Sequence, residues 1–404
     1  MTEDERKELC MRMRTLVVFR AVLDDPVIAA LVDTLGIAAG LGHDDAPLAE
    51  AYAGFVSELF ATGTCSLGAH VQEVVLDDEN VYLSRRGARA EVPRVLADAA
   101  DAELQTLARL AALTPDDLLT HVPTELRGTL ARYEVERTDL VGIYRERLAD
   151  IHRHGFGVYA RHHVFRMDDA GQVVPVHHPD PIRLADLADY EREKGIILDN
   201  TRALLAGRPA ANILLTGDAG TGKSSTVKAV ANELASEGLR ILEVHKEQLH
   251  RIPGLLDELT KNPLCFVIFI DDLSFARDDD NFAALKAILE GSVSAKSANV
   301  AIYATSNRRH LVRETFSDRE GDDVHLNDTL QEIVSLSDRF GIHVSFHRPD
   351  KATYLDIVHQ LAEADHVTMD EGELDLLAER FATRRGGRSA RGARQFVDSL
   401  VTRQ

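Results

Sequence analysis

The spacing of hydrophobic positions changes character near residue 180. Before that point apolar residues recur at helical intervals, as over 5–23 and 104–113, and few β-branched positions alternate with polar ones. Pro26, Gly36, Gly42 and the Thr114-Pro115 pair interrupt these runs. The pattern predicts an all-α N-terminal region over 1–154. Residues 155–178 read as extended: 158–166 and 172–176 flank Met167-Asp168-Asp169-Ala170-Gly171, a hairpin with a glycine turn. His178-Pro179-Asp180-Pro181 then breaks regular structure, so 155–178 is expected to be a hairpin linker ending at a domain junction.

From Leu184 onward short apolar runs alternate with helical ones. Strands are expected at 213–216, 239–244, Cys265–Ile270, 300–305 and Ile342–Phe346. Strands alternating with helices predict a mainly parallel, five-stranded sheet with helices on both faces, over 179–348. Beyond Pro349 three helical segments follow, 351–364, 371–384 and 389–402, with no further strand. They predict a small helical lid over 349–404.

Length and composition narrow this picture. The 404 residues exceed what one core usually supports, and 45% hydrophobic with 28% charged residues is the balance of a soluble chain. No apolar run approaches the roughly 18 residues that span a bilayer. Residues 1–25 carry Asp4, Glu5, Arg6, Lys7 and Glu8 and no apolar signal core. Cys10, Cys65 and Cys265 are odd in number and widely spaced. A cytoplasmic, reduced protein away from membranes is the expectation. The net charge is −20 and both parts of the chain are acidic, which excludes a domain-wide footprint for nucleic acid. Residues 380–404 depart from this, with seven Arg and one Asp.

The strongest chemical signal is Gly217-Asp218-Ala219-Gly220-Thr221-Gly222-Lys223-Ser224, which matches G-x-x-x-x-G-K-[ST]. It follows the expected strand at 213–216 and opens a helix at Ser225. A glycine-rich loop lets backbone N–H groups converge on phosphates, and the helix that follows presents its positive end. Lys223 is the expected partner of the β- and γ-phosphates, and Ser224 of Mg²⁺. The run Cys265–Ile270 ends in Asp271-Asp272. Asp271 is the expected second Mg²⁺ partner, and Asp272 the base that orients an attacking water. Many hydrolases of this type carry Glu at the second place, and Asp is shorter by one C–C bond, about 1.5 Å. Slow turnover is one expectation from that difference.

Asn307, at the tip of the fourth core strand, is the candidate to hold the water or a γ-phosphate oxygen. Arg308 and Arg309 read as subunit contacts or as surface charges. Arg339, in Leu336-Ser337-Asp338-Arg339-Phe340-Gly341, can project from one subunit onto the nucleotide of the next. Arg391, with Arg394 as the alternative, can reach bound phosphates from the lid. The histidines around the hairpin (His152, His154, His162, His163, His177, His178) lack ligand spacing for a metal, and the acidic runs at 278–280 and 320–323 read as solvated loops or caps.

Together these residues resemble the AAA+ ATPase superfamily: 217–224 matches Walker A, 266–272 Walker B, Asn307 sensor 1, Arg339 the arginine finger and Arg391 sensor 2. The strings HPDPIRL at 178–184, FIDDLSF at 269–275, LKAILEG at 285–291, YATSNRRHL at 303–311 and ARQF at 393–396 resemble, more closely, a bacterial AAA+ family known only as a domain of unknown function. The resemblance implies ATP and Mg²⁺ as cofactors, adenine near Leu184, Leu187 and Tyr190, a homo-oligomer forming a ring or partial ring, and a macromolecular client it does not name. The acid pair also resembles replication initiators and helicase loaders. Residues 245–254 lack the aromatic pore pair of protein unfoldases. Three functions stay open: a ring ATPase, a nucleotide-dependent switch with little basal turnover, and a DNA-linked loader.

Overall fold

Strand β5 (Cys265–Ile270) is apolar along its whole length because both of its faces are covered, and it sits inside a seven-stranded sheet. In this computed structural model residues 1–41, 48–274, 280–290, 298–307 and 339–402 are described. The chain divides into two units, residues 1–161 and 162–404.

The second unit carries β1 (Val164–Met167), β2 (Val173–Pro175), β3 (Ile213–Gly217), β4 (Leu239–Glu243), β5, β6 (Val300–Ser306) and β7 (Ile342–Phe346). Their order across the sheet is β2-β1-β4-β5-β6-β3-β7. The five expected strands are all present and parallel, with β3 between β6 and β7. The remaining two come from the hairpin. β1 pairs antiparallel with β2 and parallel with β4, Val164 facing Ile241. The hairpin is therefore the edge of the sheet and not a linker. Residues 158–161 are also not strand: Val158–Arg161 forms a helical turn behind Gly155 and Gly157, both with positive φ, and extended structure begins only where β4 offers a partner.

Tyr303, fully buried on β6, ties the layers together. Its hydroxyl accepts from Asn200 Nδ2 at 3.0 Å and shares a bond with Thr201 at 2.8 Å, both on the helix Glu191–Leu205. Asn200 also clamps the N–H and carbonyl of Ala211, which leads into β3. A buried tyrosine requires such partners, and here they fix the helix against the strand that carries the glycine loop.

The last three helices are Lys351–Ala364, Glu371–Arg384 and Ala390–Val401, each opened by a side chain that accepts a backbone N–H: Asp350, Asp370 and Ser389. They enclose a small core of their own around Tyr354, Val358, Ala378, Ala393 and Val397.

The first unit is helical, its longer elements being Glu3–Arg14, Pro26–Ala38, Leu48–Ala61, Leu67–Asp77, Arg94–Ala111 and Leu140–Ala149 around one apolar core. The helical run expected over 5–23 stops at Arg14. Thr15 bonds back to Met11, and the carboxylate of Glu103 takes the N–H groups of Val17, Val18 and Phe19. A distant acid thus offers the backbone an alternative to the helix. Among the described residues no helix is long and apolar enough to cross a membrane.

Candidate functional site

β3 delivers the glycine loop to the tip of the sheet. Gly217 has φ of +143°, and a Cβ there would lie 2.0 Å from the carbonyl oxygen of Phe346 on β7. The loop turns through Gly220 and Gly222, at φ of +80° and +95°, and the helix Lys223–Glu233 begins. Only glycine accepts these angles without strain.

Lys223 is buried, at 5% exposure. Its ammonium donates to the carbonyls of Gly217 and Asp218, each at 2.8 Å, and to Asn307 Oδ1 at 2.9 Å. Burial holds its pKa below the usual lysine value, against the pull of Asp271, Asp218 and Asp272; Arg391 pushes it the same way as burial. Ser224 Oγ donates to Asp271 Oδ1 at 2.6 Å. Asn307 Nδ2 donates to Asp272 Oδ1 at 2.7 Å. Asp272 has φ of +51°, a left-handed conformation. One hydrogen-bonded chain thus runs from Lys223 through Asn307 to Asp272, beside a second from Ser224 to Asp271. The Ser224 hydroxyl and Asp271 carboxylate are hard oxygen donors side by side, a set that suits Mg²⁺, which retains several waters and needs few protein ligands.

These residues open onto a cavity of 480 Å³. Ala219 to Ser225, Asp271, Asp272, Asn307 and Arg391 line it; Gly217 and Asp218 do not. Asp218 instead pairs with Arg348 at 3.3 Å. The cavity is also lined by Ile182, Leu187, Ala188 and Tyr190 from the segment before the helix Glu191–Leu205, and by Ile357 and Leu361 from the lid. Of the three residues expected near adenine, Leu187 and Tyr190 line the cavity, whereas Leu184 does not and packs against the sheet core. Tyr190, at φ of +63°, packs against Phe346 with ring centroids 5.0 Å apart and planes tilted by 41°, and donates to the carbonyl of His347 at 2.5 Å. Its burial pushes the phenol up to about 12.

The lid meets the loop at one backbone bond, Arg391 N–H to Gly220 O at 3.2 Å. Arg391 and Arg394 both line the cavity, but the Arg394 guanidinium is held by Asp365 and Asp398. Arg339 is not brought to the cavity; it pairs with Glu290 of the same chain at 2.5 Å. Arg308, Arg309, Phe275 and the acidic run 320–323 lie outside the described residues, as does the side chain of Asp280.

Two residues close to this chemistry were not singled out in the sequence. Lys194, buried and lining the cavity, donates to Leu187 O at 2.7 Å and Glu191 at 2.5 Å. Thr305, on β6, donates to Asp271 Oδ1 at 2.5 Å. The signal for Thr305 is a polar residue near the end of an apolar strand: Ile270 pairs with Ala304, so the next step places Asp271 beside Thr305.

A glycine loop at the tip of the central strand, an acid pair at the tip of β5, this order of five parallel strands and a C-terminal helical lid define an AAA+ P-loop protein. Residues 160–404 match the family described as "Protein of unknown function (DUF815)", and the chain belongs to it. The match opens close to His162, where the second unit begins, and so includes the hairpin.

No curated protein matches the chain. Among solved structures it is similar to the Thermotoga maritima RuvB Holliday junction branch migration motor, at 16% identity and a TM-score of 0.36, over 54% of this chain and 63% of that one. The T158V form of the same protein gives 17% identity and a TM-score of 0.37, with 54% of this chain and 63% of that one covered. The chain thus spans less than two thirds of these structures, and at that distance the likeness says nothing about activity or client.

Proposed function

We propose that this protein binds ATP with Mg²⁺ and hydrolyses it to ADP and phosphate, using the cycle to change the shape of a macromolecular client. The observation that carries this reading is the pair of hydrogen-bonded chains, Lys223–Asn307–Asp272 and Ser224–Asp271, lining one cavity. Phosphates entering there meet the loop N–H groups, the Lys223 ammonium and Arg391. Mg²⁺ supplies neutralisation of phosphate charge, and Ser224 and Asp271 are the residues that hold it. Asp272, oriented by Asn307, takes up the proton of an attacking water. Arg339 completes the site of a neighbouring subunit in a homo-oligomeric ring or partial ring, in the cytoplasm.

Equilibrium binding of a fluorescent ATP analogue, paired with phosphate release, tests this. Wild type binds and turns over, and turnover per subunit rises with protein concentration. Asp272→Asn binds ATP and releases no phosphate; Arg339→Ala binds and turns over poorly at any concentration. Failure of wild type to bind ATP removes the reading, and concentration-independent turnover by a monomer removes the ring.

A nucleotide switch is the second reading, and one observation favours it: Asp272 is bonded to Asn307 and Arg339 to Glu290, so both hydrolytic groups are engaged within one chain. It expects almost no multiple turnover from the pure protein. A DNA-linked loader gains less support, because several arginines of the C-terminal segment are already partnered: Arg388 by Glu379, Arg394 by Asp365 and Asp398, and Arg385 by Gln395.

A further inference from the structure

We propose that Thr305 is a positioning residue that sets the two acids of this site as one unit; this rests on the ATP–Mg²⁺ reading above. Its hydroxyl carries one proton and two lone pairs. The proton goes to Asp271 Oδ1 at 2.5 Å, and a lone pair accepts the backbone N–H of Asp272 at 2.9 Å. The backbone carbonyl of Thr305 accepts the N–H of Leu273 at 2.7 Å. One residue, 2% exposed on a central strand, therefore holds the side chain of the first acid and the backbone on both sides of the second acid's side chain.

The consequences differ for the two acids. On Asp271 three donors converge on the same oxygen: Ser224 Oγ, Thr305 Oγ1 and, at 3.1 Å, the N–H of Asp272. None of these bonds uses Oδ2, which they leave available to a cation or its waters. On Asp272 the bond fixes the peptide at the point where the chain enters the left-handed region, a conformation that L-residues hold only when their surroundings impose it. That turn brings the Asp272 carboxylate to Asn307 and so to Lys223. Without the hydroxyl, Asp271 keeps only Ser224 Oγ and the N–H of Asp272 on Oδ1, and that N–H keeps only the longer of its two bonds, the one at 3.1 Å.

Thr305→Val keeps the shape and removes the hydroxyl; Thr305→Ser restores it. ATP affinity is measured for full-length wild type and both variants in excess Mg²⁺ and in EDTA, after circular dichroism has checked that each is folded. Thr305→Val is expected to match wild type in EDTA within about twofold, and to lose about tenfold of the Mg²⁺-supported gain, as befits one lost hydrogen bond to a charged group. Thr305→Ser regains it to within about threefold. An undiminished Mg²⁺ gain in Thr305→Val, equal losses with and without Mg²⁺, or a serine variant as impaired as the valine one overturns the proposal. A wild type that binds no ATP sinks the function proposed above, and leaves the setting of the two acids by Thr305 to be tested by structure. The nucleotide-free crystal structure of Thr305→Val then decides: Asp272 is expected to leave the positive-φ region and Asn307, and an unmoved Asp272 overturns the assignment.

Discussion

At its lysine end the cavity is walled by polar groups that hold one another, with Lys223, Asn307, Asp272, Ser224, Asp271 and Thr305 linked by bonds of 2.5–2.9 Å. Around Tyr190, the tyrosine end, the wall is mixed and has two sources: Ile182, Leu187 and Tyr190 alternate with the charged Asp186, Asp189 and Lys194, while Ile357 and Leu361 stand on the lid. The first end is set by three neighbouring strand tips, β3, β5 and β6, and a sheet fixes those tips relative to one another. The second end depends on where the lid rests. On the proposed reading, phosphates would be met by groups set on the sheet, and a base by residues shared between the segment 182–190 and the lid.

Substitutions at the two ends test that contrast. Lys223→Ala removes at least two charge-assisted bonds to phosphate, each worth about 1.5–3 kcal/mol, and should weaken ATP by about a hundredfold or more in equilibrium binding. Leu361→Ala strips part of one apolar wall; at about 25 cal/mol per Å² of lost contact the affinity for ATP should fall about fivefold, and inorganic triphosphate should bind as before. Equal losses for both ligands would mean that the lid also serves the lysine end. Tyr190→Phe deletes only the bond to His347, so a loss of about threefold is expected, read in the same titration. Glu290→Gln releases the arginine from a partly exposed ion pair, where such pairs contribute about 0–1 kcal/mol. Half-maximal turnover should then move to lower protein concentration by no more than about fivefold.

Much of the lysine end is legible in the sequence, because its residues come as contiguous strings, Gly217 to Ser224 and Phe269 to Asp272, at the ends of apolar runs. The tyrosine end is legible only in part. Leu187 and Tyr190 belong to a segment whose resemblance names it, but Ile357 and Leu361 look like any apolar positions on an amphipathic helix. Nothing local distinguishes a lid residue that faces a cavity from one that faces the lid core. The hairpin misled for a related reason. Its turn residues announce two strands, yet whether an edge strand pairs with β4 or stands alone is decided by a segment 77 residues away, Val164 against Ile241. Glu103 acts on Val17 across a similar gap, and no periodicity within 5–23 foretells that the helix stops at Arg14.

The left-handed backbone at Asp272 changes how the shortness of that acid is understood. Asparagine and aspartate enter that region several-fold more often than other non-glycine residues, so a glutamate there would work against the turn. The residue that the backbone accepts as readily as aspartate is asparagine, one base substitution away in the gene, and it has no carboxylate to take a proton. If the proposed function holds, mutational drift at this codon has an easy path from a protein that hydrolyses ATP to a folded one that binds ATP and keeps it. Within a lineage, copies that have taken that step should be recognisable by Asn at 272 with Lys223 and Thr305 unchanged.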